Sequence, residues 1–123
     1  MTVRDVMNIV GGVCLAGEAG LDEQVNTACG SDLMSDVLAF VKDKTVLITG
    51  LINPQVIRTA EMLDIGCIVF SRGKRPADEM IEMANEIGMV LLSTRMTTYM
   101  ACGELYVHGL PGFGTKTGTE GGT

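Results

Sequence analysis

Tryptophan is absent from the chain, aromatic residues make up 4%, and there is a single histidine, His108. A platform for single-stranded nucleic acid stacks bases on exposed rings, so this scarcity argues against one. Aliphatic side chains and the 9 methionines must fill the core instead. Positive charge is also scarce: 9 Lys and Arg stand against 15 Asp and Glu, a net charge of −6 with a pI near 4.6. Such a surface disfavours DNA, RNA and anionic membranes as partners. Apolar runs such as Met89-Val90-Leu91-Leu92 are strand-sized and far too short to span a bilayer. The N-terminus carries Arg4 and Asp5 before a Gly-broken apolar stretch, with no convincing cleavage site. The expectation is a cytoplasmic protein that binds neither nucleic acid nor membrane.

Motifs with assigned chemistry are missing as well. Cys14, Cys29, Cys67 and Cys102 lie far apart with no C-x-x-C pair, so neither a zinc site nor a disulfide framework is expected. They read as small buried hydrophobes. No H-E-x-x-H or G-x-S-x-G occurs. Residues 112–117 superficially resemble a Walker loop, but Thr115 stands where its second Gly belongs. The dinucleotide fingerprint needs three spaced glycines after a strand, and the Thr49-Gly50 turn supplies one. No cofactor is implied. The acids Asp78, Glu79, Glu82 and Glu86 read as the solvated face of a helix.

What is present is a regular alternation. The 123 residues, 46% of them hydrophobic, suit one globular domain. Val6, Met7 and Val10 predict a first helix over Val3–Val10, closed by Gly11-Gly12. Short strands are expected at 13–15 and 25–29, then a helix over 32–40 with Ser31 as its N-cap. From Thr45 three strand–helix units follow. Residues 46–49 form a strand, and Asn53-Pro54 opens a helix with Val56, Ile57, Ala60 and Leu63 on its apolar face. Cys67–Phe70 is the next strand, followed by a helix turning Met80, Ile81, Ala84 and Ile87 inward and ended by Gly88. Residues 90–92 form the third strand, before a helix over Thr98–Val107 with Met100, Ala101, Leu105 and Tyr106 inward. Strands apolar on both faces, alternating with amphipathic helices, predict an α/β domain: three layers, a mostly parallel sheet flanked by helices. The domain spans residues 1–110, and the Gly/Thr-rich residues 111–123 are expected to be a flexible tail.

Ligands of open α/β sheets bind outside the carboxyl ends of the strands. Those ends are Thr49-Gly50 with Asn53, then Ser71-Arg72-Gly73-Lys74-Arg75, then Ser93-Thr94-Arg95. Four of the 9 basic residues, Arg72, Lys74, Arg75 and Arg95, fall in two of these loops. An otherwise acidic chain thus gathers donors at one edge, suited to a nucleotide, a phosphorylated small molecule or a carboxylate.

The order and spacing of several weak motifs make the chain resemble the DRTGG domain family from Val3 to Leu110. They are Ala16-Gly17-Glu18-Ala19-Gly20-Leu21-Asp22, Ser31-Asp32-Leu33-Met34-Ser35-Asp36-Val37, the strand and turn ending at Gly50, Cys67-Ile68-Val69-Phe70 with Ser71-Arg72-Gly73, Val90-Leu91-Leu92-Ser93-Thr94, and Ala101-Cys102-Gly103-Glu104-Leu105-Tyr106. The pattern is also similar to the N-terminal domain of HPr kinase/phosphorylase, whose phosphate chemistry resides in a separate domain. The resemblance implies a regulatory or assembly role, as in phosphotransacetylases and CBS-containing pyrophosphatases, and a homodimer. The chain departs from the family's name-giving turns: Gly50 is followed by Leu51-Ile52-Asn53, and the second site reads Ser71-Arg72-Gly73. The expectation is therefore a non-catalytic regulatory or protein-interaction module, homodimeric. The alternative is a sensor of a nucleotide or phosphorylated metabolite at the strand ends. An enzyme using Cys102 or His108 is the weakest reading, because six residues along one helix do not align the two side chains.

Overall fold

A computed structural model describes residues 1–41 and 44–112. Ten elements follow one another: α1 (Val3–Val10), β1 (Val13–Ala16), β2 (Thr27–Gly30), α2 (Met34–Phe40), β3 (Thr45–Thr49), α3 (Pro54–Met62), β4 (Cys67–Phe70), α4 (Asp78–Ile87), β5 (Val90–Ser93) and α5 (Thr98–Val107). The five strands form one sheet in the order β1-β5-β4-β3-β2. β2 to β5 are mutually parallel, and β1 joins β5 antiparallel.

This order dictates the layers. From β2 to β5 every crossover steps in the same direction, and right-handed crossovers stepping one way put all their helices on one face. Accordingly α2, α3 and α4 pack Val37, Val56, Ile57, Ala60, Met80 and Ala84 against Leu47, Ile68, Phe70 and Leu91. The opposite face is covered by α1 and α5, through Val3, Val6, Val10, Ala101 and Leu105 on Val46, Ile48, Val69 and Leu92. Each central strand sends alternate side chains to the two cores, which is why its sequence is apolar throughout.

Local signals fix most helix ends. Thr2 and Asp5 form a reciprocal capping box at α1, with bonds of 3.1 and 2.9 Å. Asn53 Oδ1 accepts from the Gln55 amide, and Pro54 occupies the first turn of α3. Gly88 ends α4 in the left-handed region. Three expectations need correction. The second helix begins at Met34, because the Ser31 hydroxyl accepts from the Leu33 amide in a tight turn and caps nothing. Strand β2 starts at Thr27, with Val25 buried ahead of it. Ile87, Met100 and Tyr106 face outward: Ile87 is the last residue of α4, at the edge of its packed face, and α5 is apolar on both sides, so spacing alone cannot choose which one is buried. Two residues assigned to the tail, Pro111 and Gly112, lie along β2, with the Ala28 amide donating to the Pro111 carbonyl. The remainder of the expected tail, 113–123, lies outside the described residues.

Gly17 lies where the chain leaves β1. Its φ is +71°, and an added Cβ would come within 2.2 Å of the Met89 carbonyl oxygen, a backbone atom that cannot step aside. Gly17→Ala is therefore expected to destabilise the domain by about 2 kcal/mol or more, lowering its melting point by roughly 5–10 °C. Thermal unfolding followed by circular dichroism checks this, and an unchanged melting point would contradict the close approach.

Candidate functional site

The carboxyl ends of β2, β3, β4 and β5 open on one edge, where their loops meet around Gly50. Asp32, two residues beyond β2, turns toward the end of β3. Its Oδ1 accepts from the Thr49 hydroxyl at 2.8 Å and from the Gly50 amide at 2.7 Å. Lys74 arrives from the loop after β4 and donates from Nζ to the Gly50 carbonyl at 3.0 Å. Arg72 and Ser71 also close on this point. A Cβ placed on Gly50 would lie 3.0 Å from the Arg72 guanidinium, 3.5 Å from Ser71 Oγ and 3.6 Å from Asp32 Oδ2. Ser71 Oγ is itself paired with Thr98 Oγ1 at 2.7 Å.

The β4 loop is held rigidly for this purpose. Arg72 takes a left-handed conformation, φ +59°, uncommon for a residue with a side chain. Its amide donates to the Met96 carbonyl and that of Gly73 to the Thr94 carbonyl, both at 2.7 Å. The Asp32 carboxyl is held below the usual carboxylate range, first by the Gly50 amide and the Thr49 hydroxyl, then by the charges of Arg72 and Lys74. An anion is thus already seated among the donors, and it belongs to the protein.

The structure brings together Thr49, Gly50, Ser71, Arg72 and Lys74 of the residues expected at this edge. Others have separate duties. Asn53 caps α3. Arg75 turns to Asp78 at the start of α4, 3.2 Å away. Ser93 Oγ donates to the Lys74 carbonyl at 2.8 Å, and buried Thr94 Oγ1 donates to the Val10 carbonyl at 2.6 Å. Gly73 serves the loop through its backbone, and Arg95 is exposed. Asp32 is the residue that sequence reasoning missed, having placed it as the first residue of the helix after Ser31. Its signal was its place, at the carboxyl end of a strand adjoining β3. The Asp32 carboxylate and the Arg72 guanidinium both approach Gly50. Of the Leu51-Ile52 pair, Leu51 packs into the core and Ile52 is 40% exposed.

Nucleophilic chemistry finds little support. Burial pushes the thiols of Cys14, Cys29, Cys67 and Cys102 up, which keeps them protonated near neutrality. His108 ends α5 with Nδ1 2.7 Å from the Glu104 carbonyl. No group of three His, Cys, Asp or Glu poised to hold a metal occurs among the described residues. Two sizeable clefts lie elsewhere. One of about 610 Å³ sits at the amino ends of the strands near Lys44, Glu61 and Asp64. The other, about 500 Å³, runs between α5 and β2 and is mainly apolar.

Removing the carboxylate by Asp32→Ala leaves the Gly50 amide and Thr49 hydroxyl without their acceptor. The expected cost at neutral pH is about 1–2 kcal/mol. Because the folded pKa lies below the ordinary value of 3.8, this advantage is full above that value and disappears as pH falls through the folded one. Urea unfolding of wild type and variant from neutral pH to strong acid measures it, and a gap that persists at the acid end would contradict the assignment.

The family model for the DRTGG domain matches residues 5–106. No curated protein matches the chain at significance. Among solved structures, the chain is similar to the CBS and DRTGG domains of the regulatory region of Clostridium perfringens pyrophosphatase, complexed with its activator diadenosine tetraphosphate. The TM-score is 0.68 at 15% identity, over 89% of this chain and 47% of that one, so the likeness is one of fold and spans about half of that structure. With a five-stranded, mostly parallel sheet between helical layers and a family match running from Asp5 to Tyr106, the chain belongs to the DRTGG domain family.

Proposed function

We propose that this domain is a non-catalytic regulatory module that acts through protein contact and forms a homodimer. One observation carries the reading: α5 presents Tyr99 and Val107, 83% and 77% exposed, in a chain where Thr49, Gly50, Ser71 and Lys74 at the strand ends already have partners. Large apolar side chains clustered on a surface are a partner's contact more often than a solvent face. Regulatory use agrees with the pyrophosphatase region that shares the fold. The cysteines, among the described residues, are free, which suits a reducing, cytoplasmic compartment.

A second reading keeps the sensor. The similar structure is complexed with diadenosine tetraphosphate, and Arg72, Lys74 and Arg95 stand at the edge where a phosphorylated ligand would approach. For a phosphate to enter beside Thr49, Gly50 and Ser71 it must displace Asp32, whose carboxylate repels it.

Sedimentation analysis of the full chain separates the two, combined with a thermal-shift panel of nucleotides, dinucleoside polyphosphates and acetyl phosphate. A dimer with a flat panel is the expected result. Arg72→Ala with Arg95→Ala should leave self-association intact. A rise in melting point of several degrees at 100-fold excess over the dissociation constant, lost in that double variant, would make the domain a sensor.

A further inference from the structure

Helix α5 has two apolar faces. Ala101 and Leu105 are fully buried against the sheet, yet Tyr99, Met100, Tyr106 and Val107 are 83%, 49%, 57% and 77% exposed. At about 100° per residue these four fall on the outward side in two pairs, one on each side of Gly103. Gly103 forms the apex, pointing directly away from the buried face. Among the described residues nothing crowds it: a Cβ there would meet nothing within 4 Å. Glycine inside a helix is less favourable than alanine, and no described neighbour requires it here. What a missing side chain permits is close approach by another backbone.

Resting on the homodimeric reading above, we propose that this stripe is the dimer surface, with α5 of one copy crossing α5 of a second copy antiparallel at Gly103. The pattern is self-complementary about that residue. A two-fold axis between the two glycines, running across both helices, sets Tyr99 beside Tyr106 of the second copy and Met100 beside its Val107, and repeats both contacts on the other side. The two glycines meet at the axis and let the helices close until the rings can pack. The four side chains of the stripe carry no charge, with Glu104 at its flank, whereas the whole chain carries −6, so the centre of this face is one on which two like-charged copies can meet. The exposed parts of the four side chains amount to roughly 500 Å² per copy, near 1,000 Å² for the pair. That is where biological interfaces begin, and half-buried Cys102 and Glu104 on the flanks add to it.

Two variants of the full chain test the proposal, because each fills open space without disturbing the core. Gly103→Arg places a long cation on the axis and should give a monomer by sedimentation with an unchanged circular dichroism spectrum. Gly103→Cys sets two thiols face to face and should form a disulfide-linked dimer under mild oxidation. Wild type and Glu82→Cys, on exposed α4, should not. A dimeric Gly103→Arg, or a Gly103→Cys that fails to cross-link, overturns this surface while leaving a homodimer built elsewhere. A wild-type chain that is monomeric at every concentration overturns the homodimer itself, and the stripe is then a contact for a different protein.

Discussion

The handedness of the β-α-β crossover governs the arrangement of this domain. Because β2, β3, β4 and β5 follow one another across the sheet in a single direction, α2, α3 and α4 can cover only one of its faces. The other face would expose Val46, Ile48, Val69 and Leu92 to water, and nothing in the crossovers can cover it. That task falls to α1 and α5, helices that connect no two parallel strands and are therefore free of the geometry that places the other three. The same one-way order means that no pair of neighbouring crossovers diverges to opposite faces. The crevice that such divergence opens in doubly wound sheets, where nucleotides settle, has no counterpart between β2 and β5.

Most of the fold was legible because it is driven by patterns of sufficient length. Strands with every residue apolar, as in Cys67-Ile68-Val69-Phe70, state that both faces are covered, and Asn53-Pro54 and Gly88 mark helix ends by backbone chemistry that depends on nothing distant. Legibility failed where a side chain's role depends on residues far along the chain. Asp32 looks like an acid at a helix N-terminus until β3 is placed beside β2 and its carboxylate meets the Gly50 amide. Met100 and Tyr106 look like core because α5 is apolar all round, and only the packing of Ala101 and Leu105 reveals which side is in. Topology places the strand-end loops on one edge, but Arg75 and Ser93 are drawn off into local contacts with Asp78 and the Lys74 carbonyl that loop composition does not display.

The two most distinctive regions are chemical opposites. At the strand ends, the Asp32 carboxylate, the Thr49 hydroxyl, the Gly50 peptide groups and the Lys74 ammonium pair with one another, while the guanidinium of Arg95 is exposed. Along α5, Tyr99, Met100 and Val107 are exposed.

The antiparallel joining of β1 to β5 has a consequence for how the molecule assembles. Val13 pairs with Ser93, and the Thr94 hydroxyl reaches the Val10 carbonyl, contacts that span about two thirds of the chain. Closing so long a loop is entropically costly until the intervening strands are in place. The α1–β1 segment is made before β5, yet β1 has no strand to join until β5 exists. The order in which the chain is made is thus the reverse of the order in which its edges can be completed, and the last strand to form is the one that seats the first.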